Sequence, residues 1–165
     1  MNTIAKRMFA VILTCVMAFG LFTLTQTHET YAASNKTAVY NSLRKLGYSK
    51  AGAAGIMANI KYESNYNPRV GGACYGLVQW TGSRKSNLRR FCARKGYSSA
   101  SVKGQVAFLD HELKTSYRGL YRSLKSAKSA SKAGYRFCYD FERPAARSSQ
   151  SSRRASFASR LVRSL

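Results

Sequence analysis

Residues 59–80 read NIKYESNYNPRVGGACYGLVQW and place one carboxylate, Glu63, at the junction of a helical pattern and a glycine-bearing polar loop. Working backward, Lys50 to Glu63 is rich in alanine, carries an apolar face through Ala54, Met57 and Ile60, and is preceded by Ser49, a residue type that caps helix N-termini. Working forward, Asn67-Pro68 and Gly71-Gly72 break the pattern, so residues 65–82 read as a loop or short β-hairpin. A carboxyl near the carboxyl end of a helix faces the negative end of the macrodipole, and burial against Tyr62 or Tyr66 would act in the same direction. Both effects favour the protonated acid. The chain holds only six Asp plus Glu against 28 Lys plus Arg, so few other residues can take that role.

Outside this segment the pattern is helical almost throughout, with little strand-like alternation. Val39, Leu43 and Leu46 recur at helical spacing up to Gly47. Ser83 is the expected cap of a helix carrying Leu88, Phe91 and Cys92 that ends at Gly96, and Ser101 that of a helix carrying Val102, Val106, Leu109 and Leu113. Ser116 to Lys125, Ser131 to Glu142 (stopped by Pro144) and Gln150 to Arg163 complete about seven helices. The fold class is mainly α, and no internal repeat, linker or domain boundary is visible.

Residues 1–33 read as a secretory signal: Lys6 and Arg7 precede an apolar run from Met8 to Leu24, and Thr30-Tyr31-Ala32-Ala33 supplies small residues for cleavage. The mature chain, residues 34–165, is then secreted or cell-wall associated, with no later segment apolar enough to span a bilayer. The leader carries Lys6, Arg7 and Glu29, so about +21 of the formal +22 stays on the mature domain. Such a field attracts anions. Export shifts the expected partner from nucleic acid to anionic wall polymers, while solvated helix faces account for part of the charge.

Three cysteines remain, Cys74, Cys92 and Cys138, and none of their spacings suits a structural zinc site; His111 is the sole mature histidine. No metal and no cofactor is expected. Cys92 and Cys138 each sit beside a phenylalanine on an apolar helix pattern, which makes them the expected disulfide pair, with Cys74 left in the loop.

The order Glu63-Ser64, Asn67-Pro68, Gly72-Ala73, Gly76-Leu77, Gln79 after a helix resembles the catalytic segment of lysozyme-fold lytic transglycosylases and goose-type lysozymes, at slightly shorter spacing. A closer resemblance is to the phage tail lysozyme family, carried by GYSKAGAAGIMANIKYESNYNP (47–68), YGLVQWTGSR (75–84), GQVAFLDHEL (104–113) and FCYDFERPAA (137–146). It implies a lysozyme-like helical domain that cuts the β-1,4 bond between N-acetylmuramic acid and N-acetylglucosamine in peptidoglycan. Glu63 would be the general acid, and Gln79, Tyr66, Tyr75, Trp80 and Thr81 would line the sugar cleft. Two departures are the short Arg69–Gly72 loop and Val78, where relatives vary; neither removes a group the mechanism needs.

Asp110, Glu112, Asp140 and Glu142 are the candidates for a second carboxylate, with Glu112 and Asp110 put forward, though Glu112, beside Leu113, also reads as a buried acid paired with an arginine. The Glu142-Arg143-Pro144 trio reads as helix-end anchoring. Without a second carboxylate, Glu63 would act as acid and then base, with the substrate's N-acetyl group stabilising the cation. Hydrolysis would leave a reducing end; a lytic transglycosylase would leave a 1,6-anhydro sugar. A different reading keeps the fold as scaffold for a non-catalytic cationic wall-binding protein.

Overall fold

The computed structural model describes residues 31–165, so the leader expectation falls on residues lying almost entirely outside the described ones. Helix α1 runs through residues 31–45 and is followed by α2 (Lys50–Ser64), α3 (Gly82–Arg94), α4 (Val102–Ser116), α5 (Arg118–Lys125), α6 (Ala130–Arg136) and α7 (Arg147–Leu161). A π-helical turn, Phe137–Glu142, continues α6, and a 3-10 turn, Val162–Ser164, ends α7. Among the described residues the β structure is a single antiparallel bridge, Tyr75 to Trp80, closed by Tyr75 N–H to Trp80 C=O (3.0 Å) and the reverse bond (2.9 Å). The domain is therefore lysozyme-like and helical, with its minimal hairpin inside the expected loop. No helix among the described residues is long and apolar enough to cross a membrane.

Residues 35–165 form one unit around α2, whose face from Gly52 to Ile60 is buried and packs on α6 and α7. The crossing is close because small residues meet: a Cβ on Gly55 would lie 2.6 Å from the Ala133 Cβ and 2.6 Å from the Gly134 nitrogen. Asn59, fully buried in the same crossing, donates to Gly55 C=O (2.9 Å) and to Gly134 C=O (3.1 Å), tying the two helices through main chain. Larger side chains fill the rest of the core, among them Leu43, Met57, Trp80, Leu109, Leu113 and Phe137.

Local signals set most helix starts. Ser49 accepts from Gly52 N–H and Ser101 from Gly104 N–H, as the sequence pattern predicts. At α3 the residue before the helix is Thr81, with no side-chain cap, rather than Ser83. Ser129 caps α6, which starts at Ala130 rather than Ser131, and α7 starts at Arg147, three residues before the expected Gln150. The expected helix to Glu142 changes at Phe137 into the π turn, sealed by the bond from Arg143 N–H to Cys138 C=O (2.9 Å). Leu46 is 36% exposed, so the apolar stripe of α1 ends at Leu43.

Candidate functional site

Helix α2 ends at Ser64, and Asn65 and Tyr66 both take left-handed backbone (φ 49° and 62°), turning the chain sharply out of the helix. Asn67 then accepts from Arg69 N–H through its side chain (2.9 Å), an Asx turn around Pro68. Ser64 Oγ donates to Leu77 C=O (3.0 Å), which fastens the hairpin to the end of α2. From the other side Gln105, fully buried on α4, pins the same loop: its Oε1 accepts from Leu77 N–H (2.8 Å), and its Nε2 donates to Pro68 C=O and Ser99 C=O (2.7 Å each). Gly76 is required beneath it, because φ is +72° and a Cβ would lie 2.5 Å from Gln105 Oε1. The residue that precedes Ser64 is thus held between a fixed helix end and a fixed loop.

That residue, Glu63, ion-pairs with Arg154 Nη2 from α7. The Glu63 side chain is 22% exposed and that of Arg154 only 6%, so the pair opens to solvent on the carboxylate side. Arg154 also donates to Gln150 Oε1 (3.2 Å) and lies 5.1 Å from the centre of the Tyr62 ring. The expected apolar wall of Tyr62 or Tyr66 is therefore replaced by a guanidinium: Tyr62 is 42% exposed and packs edge-on against Phe157, while Tyr66 is buried. Burial pushes the Tyr66 hydroxyl well above the usual tyrosine range.

Next to this pair lies a second charge group. Glu112 on α4 is held by Arg84 of α3 through two bonds (2.7 and 3.0 Å) and accepts from Trp80 Nε1 (2.9 Å). Glu142, at the end of the π turn, feels the charges of Glu63, Arg84, Arg154 and Glu112. Glu142 is partly exposed as a residue, but its Oε1 is sealed from solvent and has no hydrogen-bond partner. Burial first, then the charges of Glu63 and Glu112, raise its carboxyl well above the usual range, against the pull of Arg84 and Arg154. Helix-end anchoring belongs instead to Arg143, in left-handed backbone with its Nε on Asp140 C=O (2.8 Å).

The expected cleft residues separate into two sets. Thr81 is exposed, and Gln79 and Tyr75 are half-buried. Gln79 is in left-handed backbone (φ 52°) and donates to Gly76 C=O (2.8 Å), bracing the hairpin turn; Tyr75 has Lys85 and Arg89 of α3 over its ring at 5.8 and 5.6 Å. Trp80 is fully buried and Tyr66 only 3% exposed, so in this structure neither offers a ring face for stacking on a sugar, and both are corrected to core residues. Of the second-carboxylate candidates, Glu112 is taken up by Arg84, Asp110 of α4 pairs with Lys125 of α5 (3.3 Å) beside Tyr48, and Asp140 pairs with Arg136 (3.1 Å). A pocket of about 350 Å³ between α3 and α4, lined by Asn87, Arg90, Arg94 and His111 among others, reaches Glu112 but not Glu63.

All three cysteines are free thiols, which overturns the expected Cys92–Cys138 disulfide. Cys92 lies under Gly104, while Cys138 sits in the π turn near Ser151 and Arg154, so different parts of the core enclose them. Among the described residues no group of His, Cys, Asp and Glu could hold a metal ion. Sequence reasoning missed Arg154 and Gln105, and it set Glu142 aside as helix-end anchoring. The two missed residues each had a signal: Arg154 shares a helix face with Ala158 and Leu161, and Gln105 interrupts the apolar face of Val102, Val106 and Leu109. A lone polar residue on a buried stripe asks for a partner.

A helical domain with a glutamate at a helix end, facing a short hairpin and held by a buried arginine, defines a lysozyme-like protein. The chain belongs to the phage tail lysozyme family, which it matches over residues 34–165. No curated protein shows a significant match to this sequence. Family membership points to a lysozyme-like enzyme that acts on peptidoglycan.

Proposed function

We propose that the protein is a muramidase that cleaves the β-1,4 bond between N-acetylmuramic acid and N-acetylglucosamine, with Glu63 as general acid. The observation that carries this reading is the placement of Glu63: a solvent-facing carboxylate at the end of α2, set by the Ser64 and Gln105 bonds and held by Arg154. The half-buried or exposed Gln79, Tyr75 and Thr81 line the hairpin side. Glu112 and Asp110 are each engaged by a cation, which favours the substrate's N-acetyl group as the stabiliser of the oxocarbenium ion. Glu63 protonates the leaving oxygen and then, as carboxylate, takes a proton from the incoming water.

The charge of about +21 on residues 34–165 supports attachment to anionic wall polymers, and the leader pattern in residues 1–33 supports export to the wall. The test is muropeptide release from purified walls by wild type and Glu63→Gln. Glutamine fills the same volume without a proton to donate, so turnover falls about 100-fold or more while the fold is kept. New reducing ends establish hydrolysis. A folded Glu63→Gln protein with near wild-type release removes the glycosidase reading and leaves cationic wall binding.

A further inference from the structure

The π turn that carries Glu142 packs on both α2 and α7, the helices that carry Glu63 and Arg154. Three carboxyls, Glu63 from α2, Glu112 from α4 and Glu142 from the π turn, thus share one electrostatic neighbourhood with two guanidiniums, Arg84 from α3 and Arg154 from α7. Fully ionised, the cluster would carry one uncompensated negative charge in a largely buried setting, which is costly; one proton brings it to neutrality. Glu112 is satisfied by Arg84 and Trp80, and Glu63 by Arg154, whereas Glu142 Oε1 is sealed and unpartnered. A second orphan lies in the same cluster: Arg154 Nε is buried and donates to nothing, though its Nη1 and Nη2 are both used. A buried donor and a buried acceptor are thus left unpaired among the same five charges, where buried polar groups are ordinarily bonded. Cys138, four residues before Glu142 in the π turn, is pushed up by burial, which keeps its thiol neutral. π-helical turns are frequent at functional sites.

We propose that Glu142 is the proton store of the Glu63 site: the two carboxyls hold one proton between them, which rests on Glu142 in the free protein and moves to Glu63 for the cut. This rests on Glu63 being the acid. The step balances. Glu142 gives up its proton and becomes a carboxylate, and Glu63 takes the proton, so the net charge of the cluster is unchanged. Glu63 then gives the proton to the leaving oxygen as the glycosidic C–O bond breaks and its electron pair goes to that oxygen. Glu142 touches no substrate in this scheme and acts through Glu63, as a positioning residue for the proton.

The alkaline limb of kcat/KM then reports the last proton of the pair, whichever oxygen carries it. In Glu142→Gln the store is gone, so that limb moves to lower pH and turnover on its alkaline side falls with it. A role confined to packing would shift the melting temperature and leave the limb in place. Infrared titration supplies a readout free of turnover. Wild type shows a neutral-carboxyl band persisting above the ordinary carboxylate range; the band is lost in Glu142→Gln and disappears at lower pH in Glu63→Gln, because the neighbouring negative charge is gone. A folded Glu142→Gln enzyme with the wild-type pH profile overturns the proposal, and so does a wild-type band that titrates identically in Glu63→Gln, a comparison that stands even if Glu142→Gln fails to fold. An active Glu63→Gln enzyme would instead remove the reading of Glu63 as the acid.

Discussion

At the scale of single residues the site is fixed by bonds that leave little slack. Gly76 is the sharpest case, since left-handed backbone and a 2.5 Å approach to Gln105 Oε1 coincide. Gly76→Ala is expected to cost about 2 kcal/mol from the backbone alone, with a further loss as Gln105 is pushed off Leu77, read as a lower urea midpoint at unchanged slope. Glu142 makes stability depend on pH. The folded protein keeps its proton over a range in which the unfolded chain, with an ordinary carboxylate value of 4.5, has released it. The unfolded state then binds fewer protons, so this group makes stability fall as pH rises from about 4.5 toward the raised folded value and has no further effect above it. Glu142→Gln is expected to flatten that decline in denaturant titrations across pH. A wild-type profile that rises over the same window, with no difference in the variant, would contradict it.

At the scale of elements, α3 and α4 are joined by Arg84, Glu112 and the Trp80 indole, which also anchors the far strand of the hairpin. Glu112→Gln leaves Arg84 without its counter-charge and is expected to destabilise by about 3 kcal/mol, toward the low end for a broken buried pair because the Arg84 side chain is 30% exposed. Melting measured beside muropeptide release separates this loss from a loss of chemistry. Elements were legible in the sequence where their cause is local. Ser49 and Ser101 cap within three residues, and the apolar spacing of α2 and α4 lies in one stretch. The π turn was not legible, because five-residue bonding from Arg143 to Cys138 leaves no mark in a pattern read for 3.6 residues per turn. For the site, the position of Glu63 could be read from the helix-to-loop break, but its environment could not. Its partner lies 91 residues away, and burial of Trp80 against Phe108 and Glu112 is decided by packing across the chain.

At the scale of the whole molecule, positive charge spread over nearly every helix should govern attachment more than turnover. Binding to purified walls is expected to weaken steeply between low salt and about 1 M, where the screening length is about 3 Å, whereas the sheltered Glu63–Arg154 pair responds less. Co-sedimentation with walls over that range checks it, and salt-independent binding would show that the charge is not used for attachment. The same molecule also has a built-in order of assembly. A chain made from its amino end exposes Glu63 early, yet the guanidinium that holds it arrives only with α7, the last of the α-helices in sequence. Until that last helix docks, the unfinished chain carries Glu63 without its counter-charge, so the Glu63–Arg154 pair comes into being only on completion of the fold.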